Sequence, residues 1–177
     1  MTTSAASFSR DANRVPITTD GLTLSTTKSM TGSNATTAIP LFHITGSVEI
    51  RGLWGVITTD LGSAHTAAYW RLNDQTAQVA ITLATGTTLS SKKAGSTIVK
   101  KGLAATALAL VDNAAGAISE PTTLETTFFS PFVAQKKTAA VTDIEYVYTT
   151  SQTPTTGAIQ FFIRFIPLSA DGNITVI

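Results

Sequence analysis

Few residues in this chain are equipped for chemistry. Histidine occurs twice, at positions 43 and 65, and cysteine is absent. A protein zinc site needs three or four converging ligands. No His-x-His or His-x-x-x-His spacing supplies a start to one. Without cysteine there is no thiolate metal site, no disulfide framework and no sulfur nucleophile, and folding needs no oxidising compartment. Carboxylates number eleven. Glu49, Asp143 and Glu145 fall on strand-like stretches, where two facing carboxylates would suit glycoside hydrolysis. Charges alternating along a strand are more commonly solvated. His43 reads as a residue on the polar face of a long strand, and His65 as a loop residue. No Gly-x-Ser-x-Gly elbow and no glycine-rich phosphate loop ending in Lys-Ser/Thr occurs. The expectation is a protein without enzymatic activity, cofactor or metal.

The basic residues include three pairs, Lys92-Lys93, Lys100-Lys101 and Lys136-Lys137. Lysine pairs beside strands guard sheet edges against further pairing and aid solubility. They would also grip an acidic partner. Nucleic-acid binding calls for a denser basic patch with aromatic neighbours. Net charge is +1 and only 13% of residues are charged, about half the usual share. That balance gives little field for steering onto nucleic acid or an anionic membrane. A surface so poor in charge suits either a threonine- and serine-rich exterior or burial against partners.

The elements that would carry these residues read as strands. Threonine recurs in pairs along the chain, and its branched β-carbon favours a pleated, half-wet surface. From Phe42 the even positions run Phe, Ile, Gly, Val, Ile, Gly, Trp, Val, while the odd positions 43 to 51 are His, Thr, Ser, Glu, Arg. This is period two, with the even face inside. Leu53 and Ile57 then turn the odd side apolar, which suggests cover on both faces. A strand this long must bend, or pass from one sheet to another. Gly46 and Gly52 mark bulges, bends or close approach.

Other strands are expected at 15–17, from Leu22, and at 68–72, 78–84, 97–99, 106–111, 124–133, 141–150, 159–166 and 174–177. Residues 159–166, IQFFIRFI, read as the most central strand, and 174–177 as an edge closure. Residues 31–38 read as a polar loop. The alanine-rich 103–117 has some helical character, with the strand reading slightly better. Residues 1–14 are small and polar with Phe8 as the one large anchor, which reads as a flexible arm. The stretch has no basic-then-apolar order and so does not read as a secretory signal, and no run reaches the roughly 18 apolar residues of a membrane helix. Short strands with turns every eight to twelve residues predict an all-β fold, an antiparallel sandwich or jelly-roll-like barrel. The arm spans 1–14 and a single β domain spans 15–177.

Two segments carry a resemblance. One is Ser9-Arg10-Asp11-Ala12-Asn13-Arg14-Val15-Pro16-Ile17. The other is Leu41-Phe42-His43-Ile44-Thr45-Gly46-Ser47-Val48, continuing to Gly55-Val56-Ile57-Thr58-Thr59-Asp60-Leu61-Gly62. Together they resemble small β-rich structural proteins of tailed bacteriophages, over about a third of the chain. The resemblance implies a virion component, first of all a head decoration (cement) protein made in the host cytoplasm and seated on the capsid surface. It implies the major capsid protein as partner and self-association as a trimer, with neither nucleic acid nor membrane bound. Phe8, Arg10, Asp11, Asn13 and Arg14 would then dock the arm. A jelly-roll capsid subunit or a tail or head-fibre component is the nearest alternative. A carbohydrate-binding sandwich for host adsorption is the alternative of another class. It requires Tyr69, Trp70, Tyr146 and Tyr148 on one open face.

Overall fold

The computed structural model describes residues 21–31, 35–62, 65–85, 88–102, 106–111, 131–137, 141–150 and 156–177. The anticipated strand at 15–17, and 124–130 of another, lie outside these residues. No helix occurs among the described residues. Among them, eleven strands follow in order. They are β1 (Leu22–Ser29), β2 (Thr36–Thr45), β3 (Ser47–Thr59), β4 (His65–Asn73), β5 (Gln78–Ala80) and β6 (Thr97–Val99), then β7 (Ala109–Val111), β8 (Phe132–Gln135), β9 (Thr142–Thr150), β10 (Ala158–Pro167) and β11 (Asn173–Val176). Thr36 to Ala38, expected in a loop, already belong to β2.

Two sheets form, and every ladder between the strands is antiparallel. The first runs β1-β10-β3-β6-β7, with β8 beside β6 on the same edge of β3; the second runs β11-β2-β9-β4-β5. The pairings nest: β1 with β10, β2 with β9, β3 with β8, and β4 with β5. These four pairs nest about the Asp74–Ala77 turn with successive rungs alternating between sheets, while β6–β7 pair separately beside β3.

β10 shows why the sheets stay together. Ile159, Phe161, Ile163 and Phe165 alternate inward and are almost fully buried. Each such side chain contributes about 1.5–3 kcal/mol by leaving water. The phenyl of Phe161 meets the ring of Tyr146 from the opposite sheet at 4.9 Å between centroids. β10 lies between β1 and β3, an interior place as its composition predicts, and β11 closes an edge.

The long apolar stretch divides at Gly46, between a strand of each sheet. Gly46 has φ +54°, and a Cβ there would stand 2.6 Å from the backbone nitrogen of Gly172 and 2.5 Å from Ser169 Oγ. Only glycine fits that conformation and that gap without strain. The expected change of sheet therefore happens at the first of the two glycines.

The expectation that the even face stays inside fails beyond residue 50. Arg164 pairs with Gly52 but Phe165 pairs with Ile50, so Arg51 is an extra, bulged residue. One inserted residue reverses the facing of everything after it. Val48 and Ile50 point inward, then Leu53, Gly55 and Ile57 do, and Trp54 and Val56 emerge outside. A second bulge places Leu41 opposite no partner, beside Pro40, which lacks a donor for the ladder. Leu41 and Phe42 are consequently both buried.

Candidate functional site

Of the carboxylates proposed for chemistry, Asp143 and Glu145 hold cross-strand partners, and Glu49 meets a residue of its own strand. On the outer face of the second sheet, Glu145 accepts from Arg71 Nε at 2.7 Å and from Asn73 Nδ2 at 2.9 Å. Arg71 also donates to Gln78 Oε1. These strands set Arg71 directly opposite Glu145, and Asp143 opposite both His43 and Asn73. His43 Nδ1 lies 2.8 Å from Asp143 Oδ1. Glu145 is 7% exposed, so it is not the solvated outward charge that alternation suggested. Glu49 stands on the other sheet and meets Arg51 at 3.3 Å. The geometry is one of strand registration rather than two carboxylates converging across a cleft.

The lysine pairs divide by role. Lys93 binds Asp60 at 2.8 Å, which with the Ala94 backbone N–H holds that carboxyl below its usual range. Lys137 reaches Asp74 at 3.1 Å and also Thr76. The carboxylate of Asp74 accepts the Ala77 and Thr76 backbone N–H groups, which hold it well below the ordinary carboxylate range. Lys100 departs from the surface role expected of it. It is 3% exposed, donates to the Gly102 carbonyl at 2.6 Å and stands 5.4 Å above the Phe132 ring. Burial lowers its pKa.

One end of the sandwich carries a polar cleft of about 420 Å³. Ser47, Gln135, Lys136, Lys137, Ser169 and Asp171 line it, where the β2–β3 crossing meets the end of β8 and the β10–β11 turn. Ser169 accepts the Ser47 N–H at 2.9 Å and donates to Asp171 Oδ1 at 2.7 Å. The serines and the aspartate are thus engaged in fastening the turn to the crossing.

The aromatic residues are redistributed relative to expectation. Trp70, Tyr146 and Tyr148 are fully buried, so the open platform required for sugar stacking does not form from them. Instead Trp54 and Phe162, directly opposite on β3 and β10, stack outside the first sheet with centroids 5.2 Å apart and planes within 3°. The guanidinium of Arg164 lies 5.9 Å from the Trp54 ring centroid. Gly52 leaves room for the indole, whose Cζ3 would stand 3.0 Å from a Cβ. Trp and Arg are the residue types that dominate protein contact centres. Sequence periodicity missed this set because it cannot reveal the Arg51 bulge.

His65 is a second residue that sequence reasoning misplaced. It opens β4 and is fully buried. Its Nε2 lies 2.9 Å from Tyr146 Oη, and its ring stacks on Tyr148 at 4.4 Å. Tyr148 in turn donates to the Thr31 carbonyl. Among the described residues, Nδ1 of His65 and Nε1 of Trp70 have no hydrogen-bond partner. Desolvation pushes the His65 pKa down to about 4 and raises that of Tyr146 well above its usual value. The proposed docking residues Phe8, Arg10, Asp11, Asn13 and Arg14 lie outside the described residues. Comparison of the chain with known protein families, curated proteins and solved structures finds no match.

Proposed function

We propose that this chain is a non-enzymatic structural protein of a tailed-phage virion, a capsid decoration (cement) protein that binds and stabilises the head as a homotrimer. The observation that carries this reading is the nested pairing of 1 with 10, 2 with 9, 3 with 8 and 4 with 5. Such nesting in a two-sheet sandwich supports a jelly-roll reading, an architecture used by viral shells and by lectins. A fold hosts many functions, so the choice between them rests on the arm motif of residues 9–17 and on the side chains. The carboxylates of β9 are tied into cross-strand pairs, and the aromatic platform required of a sugar binder is largely inside the core.

In this reading Phe8, Arg10, Asp11, Asn13 and Arg14 contact the major capsid protein, and the β domain supplies the trimer. Many copies on one shell give avidity, so each arm needs only modest affinity. The protein is made in the host cytoplasm, acts on the capsid surface and requires no cofactor, nucleic acid or membrane. A jelly-roll capsid subunit, or a tail or head-fibre component, is the second reading, favoured by the same winding.

Deleting residues 1–14 tests the arm. The shortened protein is expected to keep its unfolding midpoint and trimeric sedimentation while losing retention on heads stripped of the native protein. Equal retention, or unfolding of the shortened chain, overturns the assignment.

A further inference from the structure

The β3–β4 connection is fastened to a strap formed by residues 88–96. Leu61 N–H donates to the Lys92 carbonyl at 2.9 Å, Ser91 N–H to Gly62 at 3.1 Å, and Leu89 N–H to His65 at 2.8 Å. The His65 N–H donates to Ser90 Oγ at 2.8 Å. Leu61 and Leu89 are buried beneath this seam. His65 therefore belongs to both parts: its backbone grips the strap, and its ring is seated in the core.

We propose that His65 is an acid-sensitive latch, whose protonation expels the ring from the core and releases the strap at 88–92 from the β3–β4 connection while the two sheets remain paired. Charging the ring makes both nitrogens donors. Nε2–H would still find Tyr146 Oη, but Nδ1–H has no acceptor in place among the described residues. An unpaired buried donor on a charged group is costly. The face of Tyr148 offers the cation some attraction, but no acceptor. Among the described residues, the titratable groups packed against the ring are Tyr146 and Tyr148, both with pKa values raised by burial, so neither ionises at neutral or acid pH. On the outside of the seam stand Lys92 and the Asp60–Lys93 pair, and Asp60 stays ionised through mild acid. Glu145, on the same strand as the tyrosines, is engaged on the opposite face with Arg71 and Asn73. Among the described residues no carboxylate is in place to compensate the imidazolium.

A ring that titrates at about 4 in place and at 6.5 when released favours the released state roughly 30-fold more at pH 5 than at pH 7.5. Native-state hydrogen exchange on the full chain, corrected for intrinsic rates, measures this at the amides of Leu61, Leu89 and Ser91. The expected result has three parts. These amides are at least tenfold less protected than Phe161 and Ile163 in β10, insensitive to low urea, and lose about 30-fold in protection between pH 7.5 and 5. Seam protection equal to that of β10 at every pH would mean that the strap opens only with global unfolding, and would overturn the latch. Seam protection independent of pH would mean that the strap opens without His65, with the same consequence. His65→Gln should remove the pH dependence, and its persistence in that variant would also overturn the proposal. The wild-type measurement stands on its own should that variant not fold.

Discussion

Gly46→Ala tests the crossing on which the sandwich depends. Gly46 sits at φ +54° between a strand of the second sheet and a strand of the first. A left-handed conformation costs an L-residue about 1–2 kcal/mol. The new Cβ would also stand 2.6 Å from Gly172 N, and a backbone atom cannot swing away as a side-chain tip can. Relief requires the β10–β11 turn to retreat, which loosens the Ser47–Ser169 hydrogen bond and that from Thr45 Oγ1 to the Asp171 carbonyl. Each contributes about 1 kcal/mol. The sum is a loss of about 3–4 kcal/mol. Equilibrium urea unfolding at pH 7.5 measures it, with Gly52→Ala as the control. At residue 52 the nearest atom is Cζ3 of Trp54 at 3.0 Å, a ring on the outer face with room to shift, and a loss below about 1 kcal/mol is expected. Gly46→Ala within 0.5 kcal/mol of wild type (roughly the spread of ordinary surface substitutions), or a control that loses as much, would refute this reasoning.

Neighbours on β10 should differ sharply. Phe161→Ala removes a fully buried ring that joins the sheets and should cost about 3–5 kcal/mol, whereas Phe162→Ala, on the outer face, should cost less than about 1.5 kcal/mol in urea unfolding. Glu145→Ala leaves Arg71, whose side chain is 14% exposed, without its 2.7 Å partner, and should cost about 2–4 kcal/mol by the same assay. Stability should fall by about 3 kcal/mol as pH drops from 6.5 to 4. The sign follows from His65: its folded pKa, about 4, lies below the unfolded 6.5, so the unfolded chain binds more protons in that window and the stabilisation present above 6.5 is lost. The loss should be absent in His65→Gln, with a further decline below about pH 4 as the lowered carboxyls of Asp60 and Asp74 are forced to protonate.

Much of the fold was legible because single strands obey local rules. Alternation placed β10, β9 and the three residues of β6 close to where they lie, and the length of the 42–57 run foretold a change of sheet. The failures have a common cause in pairing, which a single strand does not encode. The Arg51 bulge exists only relative to Arg164 and Phe165 on β10, so the outward turn of Trp54 could not be read from its own neighbours. A similar irregularity in the β4–β9 ladder separates Thr66 from Tyr69 on β4, with Ala67 at φ +49°, and β4 extends back to a buried His65 that resembled a loop residue. Lys100 was misread because its acceptor, the Gly102 carbonyl, and the Phe132 ring beneath it come together only in the folded chain. The candidate docking residues rest on the resemblance of the 9–17 motif, which no packing rule supplies.

The most direct test of the central claim is the copy number of this protein in purified virions, by quantitative mass spectrometry against the major capsid protein. The decoration reading predicts hundreds of copies per particle, in a fixed ratio to the capsid protein. A few to a few tens of copies would place it in the tail, collar or fibres, and absence from the particle would contradict the virion assignment altogether.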